Sequence, residues 1–598
     1  MVIEGKIVFM ISSRIKNEGW LYWLAFLVAI ALRMIQLGAN PLTDSEAILA
    51  LQAFSLAHGE TVLLAPQPAY ILFTSVLFSI IESTNFLARF LPALAGSALV
   101  FLPYLFREKL KTHAALILAF FFVFDPGLVA LSRQAGGTML AVTLLFLAWG
   151  LWKNSRMIPA GISAGLALLS GPSIWAGLLA MGLTLLFAKG MNSSPASDNP
   201  SSIENQQSDT STPQSPVSDL KPSITNNQLL TSLLITLLLG STLFFIVPNG
   251  LSAWLASIPA YFSGWVTTTE TPPDRILLTF LAYEPLGLFL AGLAILRGLR
   301  TKSRRIPRLT LWAGVSLLLA VFYRQPSELV WVLPPLLTLA ALELSHALNV
   351  TLEERREAGL TALAAGILLV FVWFNIAGIA LNPYSQPATT VPLLGELQNP
   401  RAMVLIGSLG LIVVFILLVA FGWSARIARI GITWSFSLFL GLYSLGAAWG
   451  ASGLRNPGGV ELWVSDPKPL QADLLIASVD DVSEFSLGHP LSQPVSIYGI
   501  DSPALEWILR DHNAEVISTL DPQSAPPLLI TPIMENPGLP SAYRGQDFTW
   551  RQRPLWEIVQ GGDWLKWIVF RQLPLENETI LLWARDDLFP DARDGAAP

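Results

Sequence analysis

Apolar runs long enough to cross a bilayer recur along the chain from Trp20 to about Gly450, separated by short polar turns. A hydrocarbon core of about 30 Å asks for roughly 20 such residues per helix, and inside lipid every backbone amide must find its partner within its own segment. The runs therefore predict helices, since a barrel would show short alternating strands. After about residue 452 charge returns and the apolar segments shorten to ADLLIASV (472–479), PVSIYGI (494–500), PPLLITPI (526–533) and TILLWAR (579–585). Among them SPALEWILRDH (502–512) opens on Ser-Pro and reads as an amphipathic helix. Strand alternating with helix predicts a small α/β domain. The expected architecture is an all-α polytopic membrane bundle over 1–451 and a soluble α/β domain over 452–598.

Composition agrees with this division. The 598 residues are 53% hydrophobic and 13% charged, against about one quarter charged in a soluble globular chain. Net charge is −6 with no basic face or tail, which argues against a nucleic-acid partner. Cysteine is absent, so disulfides, thiolate metal sites and cysteine nucleophiles are excluded.

Charge also orients the bundle, because Lys and Arg near helix ends stay on the cytoplasmic side. Lys6, Arg14 and Lys16 precede the first run without a small-residue cleavage site, so 20–37 reads as a retained first helix with the N-terminus inside. Arg297, Arg300, Lys302, Arg304, Arg305 and Arg308 mark another inside loop. Runs near 309–323, 328–345, 359–381, 402–422 and 431–450 then alternate, leaving the C-terminal domain outside the plasma membrane. If QPAYILFTSVLFSIIE (67–82) lies along the outer surface instead of crossing, Arg107, Lys109, Lys111, Lys153 and Arg156 also fall inside. That arrangement gives about thirteen spans, with a first outer loop at 38–85. The stretch 189–227 is rich in Ser, Pro, Asn and Gln and reads as a disordered cytoplasmic loop.

The first outer loop holds Asp44 and Glu46, just beyond a span that bears Arg33. Carboxylates beside a membrane are costly to bury, which makes the pair a site candidate; Thr43 or Asp44 capping the following Ala/Leu-rich helix is the plainer alternative. Arg89 and Arg133 fall at outer helix ends, where a guanidinium grips phosphate with paired donors or simply snorkels. Glu284, set before Pro285 inside an apolar run, needs water or a partner such as Arg324. His58, Glu284 and Arg324 are candidates for lining a cavity. The five histidines form no ligand spacing, so no protein metal site is expected, although a divalent cation at Asp44 and Glu46 stays open. Neither GxxxxGK[ST] nor a strand-linked GxGxxG occurs, which removes the signature of nucleotide-driven pumping.

NPLTDSEAILALQ (40–52), LARFLPALAG (87–96), DPGLVALSRQA (125–135) and GISAGLALLSGPSIW (161–175) together give the first third of the chain a family resemblance. It resembles the membrane glycosyltransferases of the C-type fold (GT-C), such as dolichyl-phosphate-mannose protein mannosyltransferases and aminoarabinose lipid transferases. LLTFLAYEPLGLFLAGLAILRG (277–298) and ALEWILRDH (504–512) look like a branch associated with glycan assembly in archaea and bacteria. Two departures stand out: Asp44-Ser45-Glu46 splits an acidic pair that many members carry adjacent, and Arg89-Phe90-Leu91-Pro92 inserts a residue into an Arg-Leu-Pro run. The resemblance implies inverting transfer of a sugar from a polyprenyl-phosphate carrier to a lipid, glycan or protein acceptor on the outer face. In it Asp44 is the expected base, Glu46 its neighbour in the acidic pair, and Arg89 and Arg133 hold the lipid phosphate. A multispan transporter or lipid flippase, or a scaffold whose split acidic pair no longer works, are the rival expectations.

Overall fold

The computed structural model describes residues 18–589 except 192–220, 268–270, 302, 304, 384–388, 392–394, 398–399, 456–459, 465 and 522. Lys6, Arg14, Lys16 and most of the 189–227 loop lie outside the described residues. The described chain is mainly helical to Ala451 and ends in a sheet domain, as the two hydrophobic patterns predict.

Among the described residues five helical runs are long and apolar enough to cross a membrane, with Arg401–Ala451 taken as a single run, and up to eight if each of three bent pairs is one span. The expected thirteen is not confirmed by this count, and two features separate the numbers. Several apolar runs are shorter as helices than as sequence: Thr138–Lys153 has 16 residues. Others break at proline or glycine, where the backbone loses a donor or its helical preference. Asp125-Pro126 bends one run by 55°, Glu284-Pro285 another by 84°, and the turn around Gly171-Pro172 a third by 119°. Pro68–Ile80 has 13 residues, about 20 Å of helix against the ~30 Å a span needs.

The helices divide by what surrounds them. Of the most apolar stretch in Pro326–Ala347, 72% is buried within the protein, whereas in Leu352–Leu381 the share is 17%. The former is the core, packing Trp331, Leu333 and Leu336 against neighbouring helices. The latter pairs with Pro400–Val419 and Ala425–Ala451 around Leu369, Val372 and Ile412, leaving side chains such as Phe374 and Phe421 on the outside. Exposed apolar faces of this kind suit lipid as solvent. Extended backbone at Ser424 (φ −160°, ψ 127°) lets the last two helices fold back on each other.

Beyond a small hairpin, β1 (Thr389–Val391) with β2 (Gly395–Leu397), the strands belong to the C-terminal domain. They are β3 (Lys468–Pro469), β4 (Val495–Tyr498), β5 (Ala514–Ile517), β6 (Leu528–Pro532), β7 (Tyr543–Pro554) and β8 (Leu575–Arg585). The sheet order is β3-β7-β8-β6-β4-β5, with β4 parallel to both β5 and β6 and the other pairs antiparallel. One expected strand is a helix: 472–479 opens Ala472–Leu487, whose buried residues Ala472, Leu475, Val479 and Ser483 recur at helical spacing. Its left-handed Gly488 (φ 78°) ends it. Strand β7 was not legible, because its polar sequence YRGQDFTWRQRP lacks an alternating apolar face.

The sheet domain is fastened to residues 38–85, between the first helix and the helix Asn85–Ala98. Residues of that segment and of the sheet share one buried core that includes Leu42, Tyr70, Ile71, Ile497, Trp507 and Trp550. Trp507 stacks on Phe78 and donates through its indole nitrogen to Asn85, at 2.7 Å. Arg510 donates to the Ser83 carbonyl at 2.7 Å.

Candidate functional site

A cavity of about 670 Å³ lies where the loop after the first helix, the neighbouring helix ends and the chain leading into the sheet domain meet. Its walls include Glu46, Arg89, Arg133, Arg324, Glu328, Asp466 and Lys468. Sequence reasoning therefore identified four of these residues, and the structure brings them together.

Glu46 is the most tightly held. Thr43 caps the helix Asp44–Ala57, and the Glu46 carboxylate reaches back to the Thr43 amide at 3.0 Å in a capping box. Arg89 closes on it from Asn85–Ala98 through Nε at 2.8 Å and Nη2 at 2.7 Å, and the Ala135 amide adds a third partner at 2.8 Å. Burial alone would push this carboxyl up, but the Arg89 guanidinium and the two amides hold it below the ordinary range. The remaining Arg89 hydrogens go to the Leu37, Asn40 and Pro41 carbonyls. Arg89 thus has every donor occupied in shaping the loop.

Asp44 points the other way. It does not line the cavity: Oδ1 accepts from Ser502 Oγ at 2.8 Å and the Ala504 amide at 3.0 Å, and Oδ2 is paired with Arg551 of β7. The pair considered for a divalent cation is therefore split, each carboxylate closed by its own arginine. Among the described residues no group of three or more His, Asp or Glu side chains is placed to hold a metal.

Arg133 binds the carbonyls at the end of Glu18–Met34: Arg33 and Ile35 at 2.9 Å, Gln36 at 3.2 Å and Leu32 at 3.3 Å. It thereby satisfies helix-end carbonyls, its Nε makes no bond to the described residues, and the residue lines the cavity. Burial and the nearby Arg89 push its pKa down to about 10, so it remains a cation at neutral pH. The turn that carries it needs glycine, because a Cβ on Gly137 would sit 1.6 Å from the Ser170 carbonyl oxygen. Gln67 ties the same turn, accepting from the Gly137 amide at 2.8 Å.

Two further cations in this cavity have unspent donors. Neither Arg324, which is exposed, nor Lys468, which is half-buried, makes a side-chain hydrogen bond or ion pair with the described residues. Burial, reinforced by Arg89, pushes the Lys468 ammonium below the ordinary lysine value. Neither Lys468 nor Asp466 was legible beforehand. The only signal was their place in DPKP, the first Asp and Lys of the polar chain entering the domain.

The other candidates lie elsewhere. His58 caps its helix end, with Nδ1 2.9 Å from the Phe54 carbonyl, and does not line the cavity. Glu284 sits at the 84° break beside Asp125, 3% exposed, and not next to Arg324.

No family model matches the chain, and no curated protein matches it. Among solved structures it is similar to the crystal structure of ArnT from Cupriavidus metallidurans bound to undecaprenyl phosphate, at 15% identity and a TM-score of 0.49, covering 86% of this chain and 93% of that one. It is similar to the apo state of the same ArnT at 13% identity, a TM-score of 0.49 and the same coverage.

Proposed function

We propose that this chain is an inverting glycosyltransferase that takes a sugar from a polyprenyl-phosphate-linked donor on the outer face of the membrane. The observation that carries the reading is the set of cations with unspent donors, Lys468, Arg324 and the Nε of Arg133, in one cavity at the outer helix ends. A lipid phosphodiester presents anionic oxygens at that depth, and it leaves as a phosphate monoester carrying more charge. Cations gathered in one cavity stabilise that growth of charge. The sequence resemblance to C-type-fold transferases points to the same chemistry.

The orientation follows from the helix Arg305–Tyr323. Its C-terminal end, Tyr323 with Arg324, lines the cavity, and its N-terminal end carries Arg305 and Arg308. Its 19 residues cover about 28 Å. Retention of basic ends on the cytoplasmic side supports a reading in which the cavity and the sheet domain lie outside. A transport reading would ask for a polar route at Glu284, but that side chain is enclosed beside Asp125 and does not line the cavity.

The test uses purified full-length protein with radiolabelled undecaprenyl-phosphate hexoses and pentoses, read as transfer to an added acceptor or to water. Wild type releases label from one of them, and Lys468→Ala with Arg324→Ala lowers kcat/KM by about 10²-fold, the loss expected for removing charge-assisted contacts. No release from any donor, or a double variant equal to wild type, contradicts the proposal.

A further inference from the structure

A second cavity, of about 550 Å³, adjoins the first. It lies between the outer helix ends at Thr271, Arg275 and Pro326 and the sheet domain at Gln552, Trp556 and Glu576. The two cavities share Thr271, Val464, Asp466 and Lys468 in their walls. A donor whose phosphate rests on Lys468 has its anomeric carbon one oxygen away, so an acceptor approaching through the shared wall meets that carbon beside Asp466.

Among the described residues Asp466 is the carboxylate that lines both cavities. One of its oxygens accepts from the Ser45 amide at 3.1 Å, and the other is unengaged by the described residues. The first-loop carboxylates lack this freedom. Asp44 is turned to Ser502, Ala504 and Arg551, and Glu46 is closed by Arg89 and two amides. Glu328, the remaining carboxylate of the first cavity, is 4% exposed, accepts from Ser173 at 3.2 Å and does not reach the second cavity. Asp466 thus stands beside the residue that splits the acidic pair, Ser45, brought there from 421 positions away.

The lining of the second cavity narrows the acceptor. Arg275, Arg553, Glu557 and Glu576 set both signs of charge around Gln552. Val460, Leu462, Leu470, Leu555 and Trp556 interleave with these charges, and such a mixed wall suits the apolar faces and the hydroxyls of a sugar ring. Hydroxyl groups, which both donate and accept, satisfy both signs.

We propose that Asp466 is the general base of the transfer and that the second cavity receives a saccharide acceptor. This rests on the transferase reading above. A lone pair of the acceptor hydroxyl forms the new bond to the anomeric carbon as the bond from that carbon to the phosphate oxygen breaks. The electrons of the broken bond leave on polyprenyl phosphate, held by Lys468 and Arg324. The hydroxyl proton passes to the free oxygen of Asp466 and from there to water.

The experiment uses full-length protein in nanodiscs, an undecaprenyl-phosphate sugar that wild type uses, and two acceptor pools: short oligosaccharides (maltotriose, cellotriose, chitotriose) and Ser/Thr-containing peptides. Asp466→Asn is expected to lower kcat by about 10²-fold or more, with undecaprenyl-phosphate affinity changed by less than about twofold. Asp466→Glu should recover part of the rate, and label should appear on an oligosaccharide. If Asp466→Asn keeps wild-type kcat, the base assignment is overturned while the transferase reading stands. Loss of lipid-phosphate affinity together with kcat, unrelieved by Asp466→Glu, marks a structural peg and also overturns it. Transfer only to peptides overturns the saccharide assignment. If Asp466→Asn does not fold, Asp466→Ser takes its place. No transfer or hydrolysis by wild type from any donor removes the transferase reading, and this inference with it.

Discussion

Asp44 and Glu46 are two residues apart on the first turn of one helix, yet they belong to different halves of the molecule. Glu46 is enclosed by the bundle, with Arg89 and the Ala135 amide around it. Asp44 is bound by the sheet domain, through Ser502, Ala504 and Arg551. Successive helical positions point about 100° apart, so a short acidic motif at a helix start holds one element on each side. In this chain the acidic loop therefore joins bundle to domain. The carboxylate with a free oxygen at the cavity, Asp466, comes from the polar chain that enters the domain.

The largest test of this contrast is Glu46→Ala. Removing one partner of a buried pair strands the other charge, at a cost of about 3–5 kcal/mol, read as a fall in thermal midpoint and in yield. Glu46→Met with Arg89→Met should recover much of that loss, because no unpaired charge remains. Since the folded Glu46 carboxyl is held below its ordinary value, its contribution is in place above about pH 4.3 and is lost as pH falls through the lowered value. Asp44→Asn should cost less, about 1–3 kcal/mol, because that site is partly exposed. Its signature is local: proteolysis separates the sheet domain faster while the bundle keeps its midpoint. Equal and global losses for Glu46→Ala and Asp44→Asn would break the distinction.

Lys468 gives a smaller, pH-dependent effect. Its ammonium is depressed from 10.5, so as pH rises through the lowered value the cation is lost sooner than an ordinary lysine would lose it. Undecaprenyl-phosphate affinity should weaken on the alkaline side by up to about tenfold, and Lys468→Arg should abolish that pH dependence. Ser45→Ala should be the mildest change, within about 0.5 kcal/mol, because the Ser45 backbone amide and not its hydroxyl holds Asp466.

The division into a helical bundle and a sheet domain was legible from the lengths of the apolar runs, although 472–479 is a helix and β7 was missed; Glu46, Arg89 and Arg133 were legible as charges near helix ends, and Arg324 as a possible partner of Glu284. The breaks within those runs were not legible, because run length in sequence does not register a bend at Asp125-Pro126 or Glu284-Pro285. The roles inside the site were not legible either. Whether a guanidinium grips phosphate or neighbouring carbonyls depends on which backbone ends it meets, and for Arg89 and Arg133 those lie from 48 to 101 residues away in sequence. Lys468 and Asp466 sit in four residues with no periodicity, and only the tertiary meeting of linker, loop and bundle gives them meaning.

The most direct measurement is an electron cryomicroscopy map of the protein in nanodiscs with undecaprenyl phosphate. The account predicts phosphate density between Lys468 and Arg324, with the isoprenoid leaving toward lipid and Asp44 still bound to Arg551. Phosphate density at Glu284, at the basic ends near Arg305, or against Asp44 released from Arg551 would contradict it.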